Sequence, residues 1–186
     1  TSAVDATAVF ESMLRLADNE IRHRARVIRH FEDVPLVEAA EGRLGQVLLN
    51  LLINAAQALP DGHAADHEIR VSVTRAADGT ICLEVADTGP GIPDDIKRRL
   101  FTPFFTTKPV GGTGLGLTIC DKIVRSFGGR IEVESEPGQG ATFRVFLPVA
   151  HSAPRRPTPR SFDGPASARR RVLVIDADEA LGHAVR

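Results

Sequence analysis

Four amide side chains, Gln46, Asn50, Asn54 and Gln57, punctuate the otherwise apolar stretch "QVLLNLLINAAQAL" at residues 46–59. In a helix turning about 100° per residue they fall within an arc of roughly 80°. Leu44, Val47, Leu48, Leu51, Leu52, Ala55 and Leu59 take the other side. An unpaired buried amide costs about 1–3 kcal/mol, so the stripe has to meet water, polar groups or a ligand. A solvated face would ordinarily carry Lys, Glu and Arg, better helix formers than Asn, yet no charge lies between Gln46 and Leu59. Neutral groups that both donate and accept hydrogen bonds suit the wall of a cleft.

Two other stretches could supply what fills it. "GGTGLGL" opens directly into the helical pattern "LTICDKIVRSF". Gly112, Gly114 and Gly116 let the backbone approach an anion closely, and the helix tip behind them offers unpaired N–H groups and about half a positive charge. The run lacks the Lys and Ser/Thr of a Walker A loop and the G-x-G-x-x-G dinucleotide spacing. Half a charge cannot neutralise a triphosphate, so a divalent cation and a lysine are expected to help, and Lys108 is the available lysine. In "VADTGPGIP", Asp87 ends an alternating strand before a glycine-rich turn. A carboxylate there either closes an Asx turn or accepts a hydrogen bond from an exocyclic amine, which suits adenine and rejects guanine's carbonyl.

In this order, "QVLLNLLINAAQA", "DTGPGIP", "LFTPFFTTK" and "GTGLGL" resemble the N, G1, F and G2 boxes of the catalytic ATP-binding domain of sensor histidine kinases, over residues 8–149. The resemblance implies the Bergerat fold shared with type II topoisomerases, MutL and Hsp90-type chaperones, with ATP and Mg²⁺ as cofactors. It makes Asn50 the Mg²⁺ ligand and a catalytic residue together with Lys108, and Asn54 a neighbour of the phosphates. Asp87 becomes the adenine reader, supported across the sheet by Thr142 of "GATFRVFLP". Gly89 and Gly91 shape the adenine side, while Thr113, Gly114, Leu115, Gly116 and Leu117 form the phosphate-facing turn. Phe101, Phe104 and Phe105 resemble the aromatic anchor of a lid.

Two positions depart from the pattern. Many relatives have Lys or Arg where Gln57 stands, so phosphate contact is expected to lean on Lys108. ATPase branches of the superfamily have a Glu at the position assigned to Gln46, where it activates water. An amide cannot take that proton, which favours transfer to another nucleophile over hydrolysis, in keeping with a reaction that depends on positioning and electrostatics.

The elements that must position these residues follow from periodicity. A helix is expected over about residues 8–21 and the amide-bearing helix from about residue 40. "RVIRHFED", "EIRVSVTR", "TICLEVADTG", "GRIEVESE" and "ATFRVFLP" read as strands, with "DGT" and "EPGQG" as hairpin connections. One more helix is expected at about 115–127. This order is not the alternation of a doubly wound parallel sheet. It implies an α+β two-layer sandwich with a mixed, mostly antiparallel sheet and helices on one face. The stretch 92–112, with only the weak helix "DDIKRRLF", reads as a lid hinged on glycines.

The chain has 186 residues with a formal charge of −1. No window has the length and apolarity of a membrane span, and "TSAVDATAVF" is not a signal peptide. Cys82 and Cys120 sit in apolar runs at no metal spacing, which points to a reducing, cytoplasmic setting. Residues 150–171 carry six Arg against Asp163, leaving −6 for the rest. Interspersed with Pro and Ser, they read as an extended linker and not as a nucleic-acid patch. The expected organisation is the end of a connection (1–7), the ATP-binding domain (8–149), the linker (150–170) and a truncated receiver-like start (171–186). "RRRVLVIDADEALGHAVR" resembles a receiver's first strand, with Asp176 as one acid, Ala177 in place of the second and Asp178 beside it. The resemblance therefore implies a hybrid kinase. Its partners are a histidine-bearing dimerisation domain and a downstream response-regulator domain, with no membrane contact by this fragment. None of His23, His30, His63, His67, His151 and His183 has the setting of the acceptor histidine.

Overall fold

Asp5 caps the first helix by accepting a hydrogen bond from the Ala8 N–H at 3.0 Å. The computed structural model describes residues 1–106 and 114–150. In chain order the elements are β1 (Ser2–Val4), α1 (Ala6–Ile21), β2 (Arg26–Phe31), β3 (Val37–Ala39), α2 (Glu41–Ala58), β4 (Glu68–Arg75) and β5 (Ile81–Asp87). These are followed by α3 (Asp94–Lys97), α4 (Gly116–Ser126), β6 (Arg130–Ser135) and β7 (Ala141–Leu147). The main sheet has the order β2-β4-β5-β7-β6. Only β2 and β4 run parallel; the other pairs are antiparallel.

Period-two sequences put one apolar row on the helical side of this sheet. Ile69, Val71 and Val73 of β4, Ile81, Leu83 and Val85 of β5, and Phe143, Val145 and Leu147 of β7 are all buried. Against them pack α2 and α4, with α1 beside α2. Leu44, Val47, Leu48, Leu51, Leu52, Ala55 and Leu59 are buried as the 3.6-residue period requires. Burying a Leu or Val contributes about 1.5–3 kcal/mol, so this face fixes α2 rigidly. Asp87 continues the inward row of β5, in register with Ile69 on one side and Ala141 on the other. The alternation that builds the core thus carries a carboxylate to its rim.

Two short strands were not expected. β1 pairs antiparallel with β3, Val4 opposite Val37, so residues 2–4, read as the end of a connection, are paired into the fold. α1 begins at Ala6, and the expected helix at 94–101 is reduced to the single turn of α3.

Candidate functional site

A cavity of about 740 Å³ opens between α2, the segment from Asp87 to Thr106, the first turn of α4 and the start of β7. Asn50, Asn54 and Gln57 line it. Gln46 does not: with Ser12, Met13 and Glu41 it lines a separate depression between α1 and α2. The helical wheel constrains angle about the axis but not position along it. The cavity begins near Asn50, about 6 Å of helix beyond Gln46.

At Asn50, the amide Nδ2 donates to Cys120 Sγ at 3.3 Å. The Oδ1 lies against Gly116, where a Cβ would come within 2.6 Å of it. A side chain at position 116 would have to push the carboxamide aside. Gly114 and Leu117 also line the cavity, whereas Leu115 is the N-cap of α4 and is not part of the wall. Thr113 and Lys108 lie outside the described residues.

Asp87 lines the cavity two helical turns further along α2, beside Ala58. Its Oδ1 accepts from the Gly89 N–H at 2.8 Å, so the Asx turn forms, and the same carboxylate still borders the cleft. Burial pushes its pKa above the ordinary carboxylate value, and hydrogen bonds from the Gly89 and Ala141 backbone oppose that shift. Gly89 stands behind the carboxylate and does not line the cavity. Gly91 does line it, at φ +73°, and a Cβ there would run into the Glu136 carbonyl.

The Asp87–Pro93 turn is braced by the β6–β7 hairpin. Gly138 N donates to Pro90 O at 2.7 Å, and Ile92 N donates to Ser135 Oγ at 2.8 Å. That hydroxyl in turn donates to Gly140 O at 2.6 Å. Gly91→Ala is therefore expected to destabilise the protein by more than the ~1–2 kcal/mol of a left-handed φ alone. A thermal-unfolding midpoint equal to wild type would refute this bracing.

Thr142 is displaced by one residue from its expected role. Ala141 and Phe143 line the cavity, whereas Thr142 pairs with Ala86 and Glu134 on the face where Arg144 bridges Glu84 and Glu134. Strand alternation leaves no other choice once Phe143 points inward. Of the three aromatic anchors, Phe105 lines the cavity, with the Arg99 guanidinium 4.2 Å above its ring. Phe101 accepts the Thr118 hydroxyl on its carbonyl at 3.1 Å. Phe104 is 76% exposed and ties its N–H to Gly114 O at 3.0 Å.

Ile53, Ile92, Ile96 and Leu100 give the cavity an apolar wall that periodicity alone did not assign to a ligand. Ser135 and Cys120, which brace it from behind, carried no motif of their own. Among the described residues no group of three or more His, Cys, Asp and Glu could hold a metal ion. A cation here would rest on amide oxygens and on the ligand's own anions.

An amide wall, a rim carboxylate and a glycine-opened helix tip thus surround one apolar cleft. Residues 39–151 match the family described as histidine kinase-, DNA gyrase B- and HSP90-like ATPase. The chain belongs to this family. It is 53% identical over 108 residues to the C4-dicarboxylate transport sensor protein DctB of Rhizobium meliloti (strain 1021), covering 58% of this chain and 17% of DctB. The catalytic domain of histidine kinase ThkA superposes with a TM-score of 0.68 at 31% identity, over 80% of this chain and 96% of that one. Full-length ShkA in complex with AMPPNP gives a TM-score of 0.70 at 30% identity, over 82% and 32%. The matched part is thus an ATP-binding catalytic domain of the sensor histidine kinase type. Its two-layer sandwich agrees with the architecture expected from the sequence. The chain spans 14 to 31% of the length of the first curated relatives it matches.

Proposed function

We propose that this histidine kinase domain holds Mg-ATP in the 740 Å³ cavity and passes the γ-phosphoryl group to a histidine on a separate dimerisation domain. One observation carries the reading: Asn50, Asp87 and Gly114 border the same cavity. From Asn50 to Ala58, beside Asp87, α2 rises about 12 Å, a span suited to a nucleotide lying along the helix. Asp87 would accept the adenine amine, with Ile92, Ile96 and Phe143 around the ring. The N–H groups at the tip of α4 would face the phosphates; the family resemblance adds Lys108 and Thr113 as phosphate contacts, both outside the described residues.

The amide pair fits a hard cation. Carboxamide oxygen is an ordinary Mg²⁺ ligand, and the Asn50 Nδ2 bond to Cys120 leaves Oδ1 as the end beside Gly116. We assign the ion to Asn50 and Asn54, one turn apart; it would neutralise phosphate charge. Gln46 is too far along α2 to replace a hydrolytic base. Asn50 is the side chain standing one turn before Asn54 inside the cavity, and it too cannot accept a proton from water. Transfer to an external histidine is thereby favoured over hydrolysis.

"RRRVLVIDADEA" supports a receiver-like continuation and a hybrid parent kinase, with Ala177 weighing against ordinary phosphorylation there. Cys82 and Cys120 are free and buried, which fits the cytoplasm, and no helix among the described residues is long and apolar enough to cross a membrane. The test combines the chain with a histidine-bearing dimerisation domain, Mg²⁺ and γ-labelled ATP. Acid-labile label on the second protein is expected. Steady phosphate release with no labelled protein, or nucleotide binding without transfer to any acceptor, would overturn the kinase reading.

A further inference from the structure

We infer that Cys120 is a positioning residue for the metal end of the cavity, acting through Asn50; this rests on the Mg-ATP reading above. Cys120 is 1% exposed on α4 and faces α2. Its Sγ accepts from Asn50 Nδ2 at 3.3 Å and sits 4.0 Å from the Val47 carbonyl, toward which its S–H is directed. Burial pushes the thiol pKa up to about 11, so it remains a neutral donor and acceptor at physiological pH.

A carboxamide can present either its oxygen or its NH₂ to a ligand, because rotation by 180° about χ2 exchanges them. Only the oxygen can bind a cation. With the NH₂ committed to sulfur, the two-way choice at Asn50 is resolved, and Oδ1 is left next to Gly116. The apolar core elsewhere on α4, Ile123 and Val124, could have been continued through position 120 with Val and no polar atom. A thiol in that place adds one acceptor where Asn50 needs it.

The test compares wild type, Cys120→Ser and Cys120→Val for AMPPNP affinity with and without Mg²⁺. The readout is the ratio of the two affinities, because damage to packing alone lowers both together and leaves the ratio intact. Cys120→Val is expected to cut the Mg²⁺-dependent gain roughly 3- to 10-fold, the range of one hydrogen bond, and Cys120→Ser to restore part of it. In Asn50→Ala, adding Cys120→Val should cost no further gain. A Cys120→Val ratio equal to wild type, or full additivity with Asn50→Ala, overturns the inference. Absence of any Mg²⁺-dependent gain in wild type would instead overturn the Mg-ATP reading on which it rests. If Cys120→Val fails to fold by thermal melt, Cys120→Ala is read in the same way.

Discussion

Asp87→Ala is expected to weaken ATP binding roughly 10- to 150-fold, the range of a hydrogen bond to a charged group, and to abolish preference for ATP over GTP. Asp87 is 9% exposed, so little water competes for its oxygens. Adenine offers that carboxylate a donor where guanine offers a carbonyl, which would face it as acceptor against acceptor. Sites built to pair a particular polar group discriminate strongly because the wrong partner leaves them unpaired. Calorimetry with both nucleotides decides the matter: persistent discrimination in Asp87→Ala would place base recognition elsewhere.

The raised pKa of Asp87 adds a pH signature. For folding, a raised acid favours the neutral form, so its contribution is fully present below the unfolded value, about 3.9, and is lost as pH rises through the folded value. For nucleotide binding the dependence has the opposite sign, since the amine needs the carboxylate. ATP affinity should fall as pH drops through the folded pKa, starting at a higher pH than for an unperturbed aspartate. Asp87→Asn should flatten that part of the profile.

The second large effect concerns the metal end. Asn50→Ala combined with Asn54→Ala is expected to remove the Mg²⁺-dependent part of ATP affinity altogether, leaving equal binding with and without the ion. Each amide facing a charged group contributes about 1.5–3 kcal/mol, so the loss relative to Mg²⁺-replete wild type should reach at least about 100-fold. The single variants then apportion the ion between the two side chains. A double variant that still gains affinity on adding Mg²⁺ would refute the assignment of the ion to this pair.

Most of this arrangement was legible because burial imposes a period. The apolar stripe of α2 and the alternating rows of β4, β5 and β7 must each present one face to the core, and a break in that pattern, such as four amides or a lone aspartate, stands out. What was misread lay where periodicity is silent. β1 and β3 have three residues each, too few to show alternation. The wheel could not say that Gln46 lies beyond the cavity's end. The resemblance pointed to Thr142, yet Phe143 had to enter the core, and that sent Ala141 inward with it. The apolar run around Cys120 accounts for its buried volume and does not reveal its sulfur lone pair toward Asn50.

β3 is gripped from two directions. Val37 pairs with Val4 and also bridges to Val149, while Glu38 N donates to Pro148 O and Ala150 N to Leu36 O. Among the described residues, the first and last paired segments therefore meet across one strand, about two strand spacings, or roughly 10 Å, apart. A short glycine bridge could join them, so a circular permutant of residues 1–150 opened at the Asp78–Gly79 turn should retain its fold. Mechanical tension applied at either segment converges on a strand that leads within two residues into the helix bearing the amides.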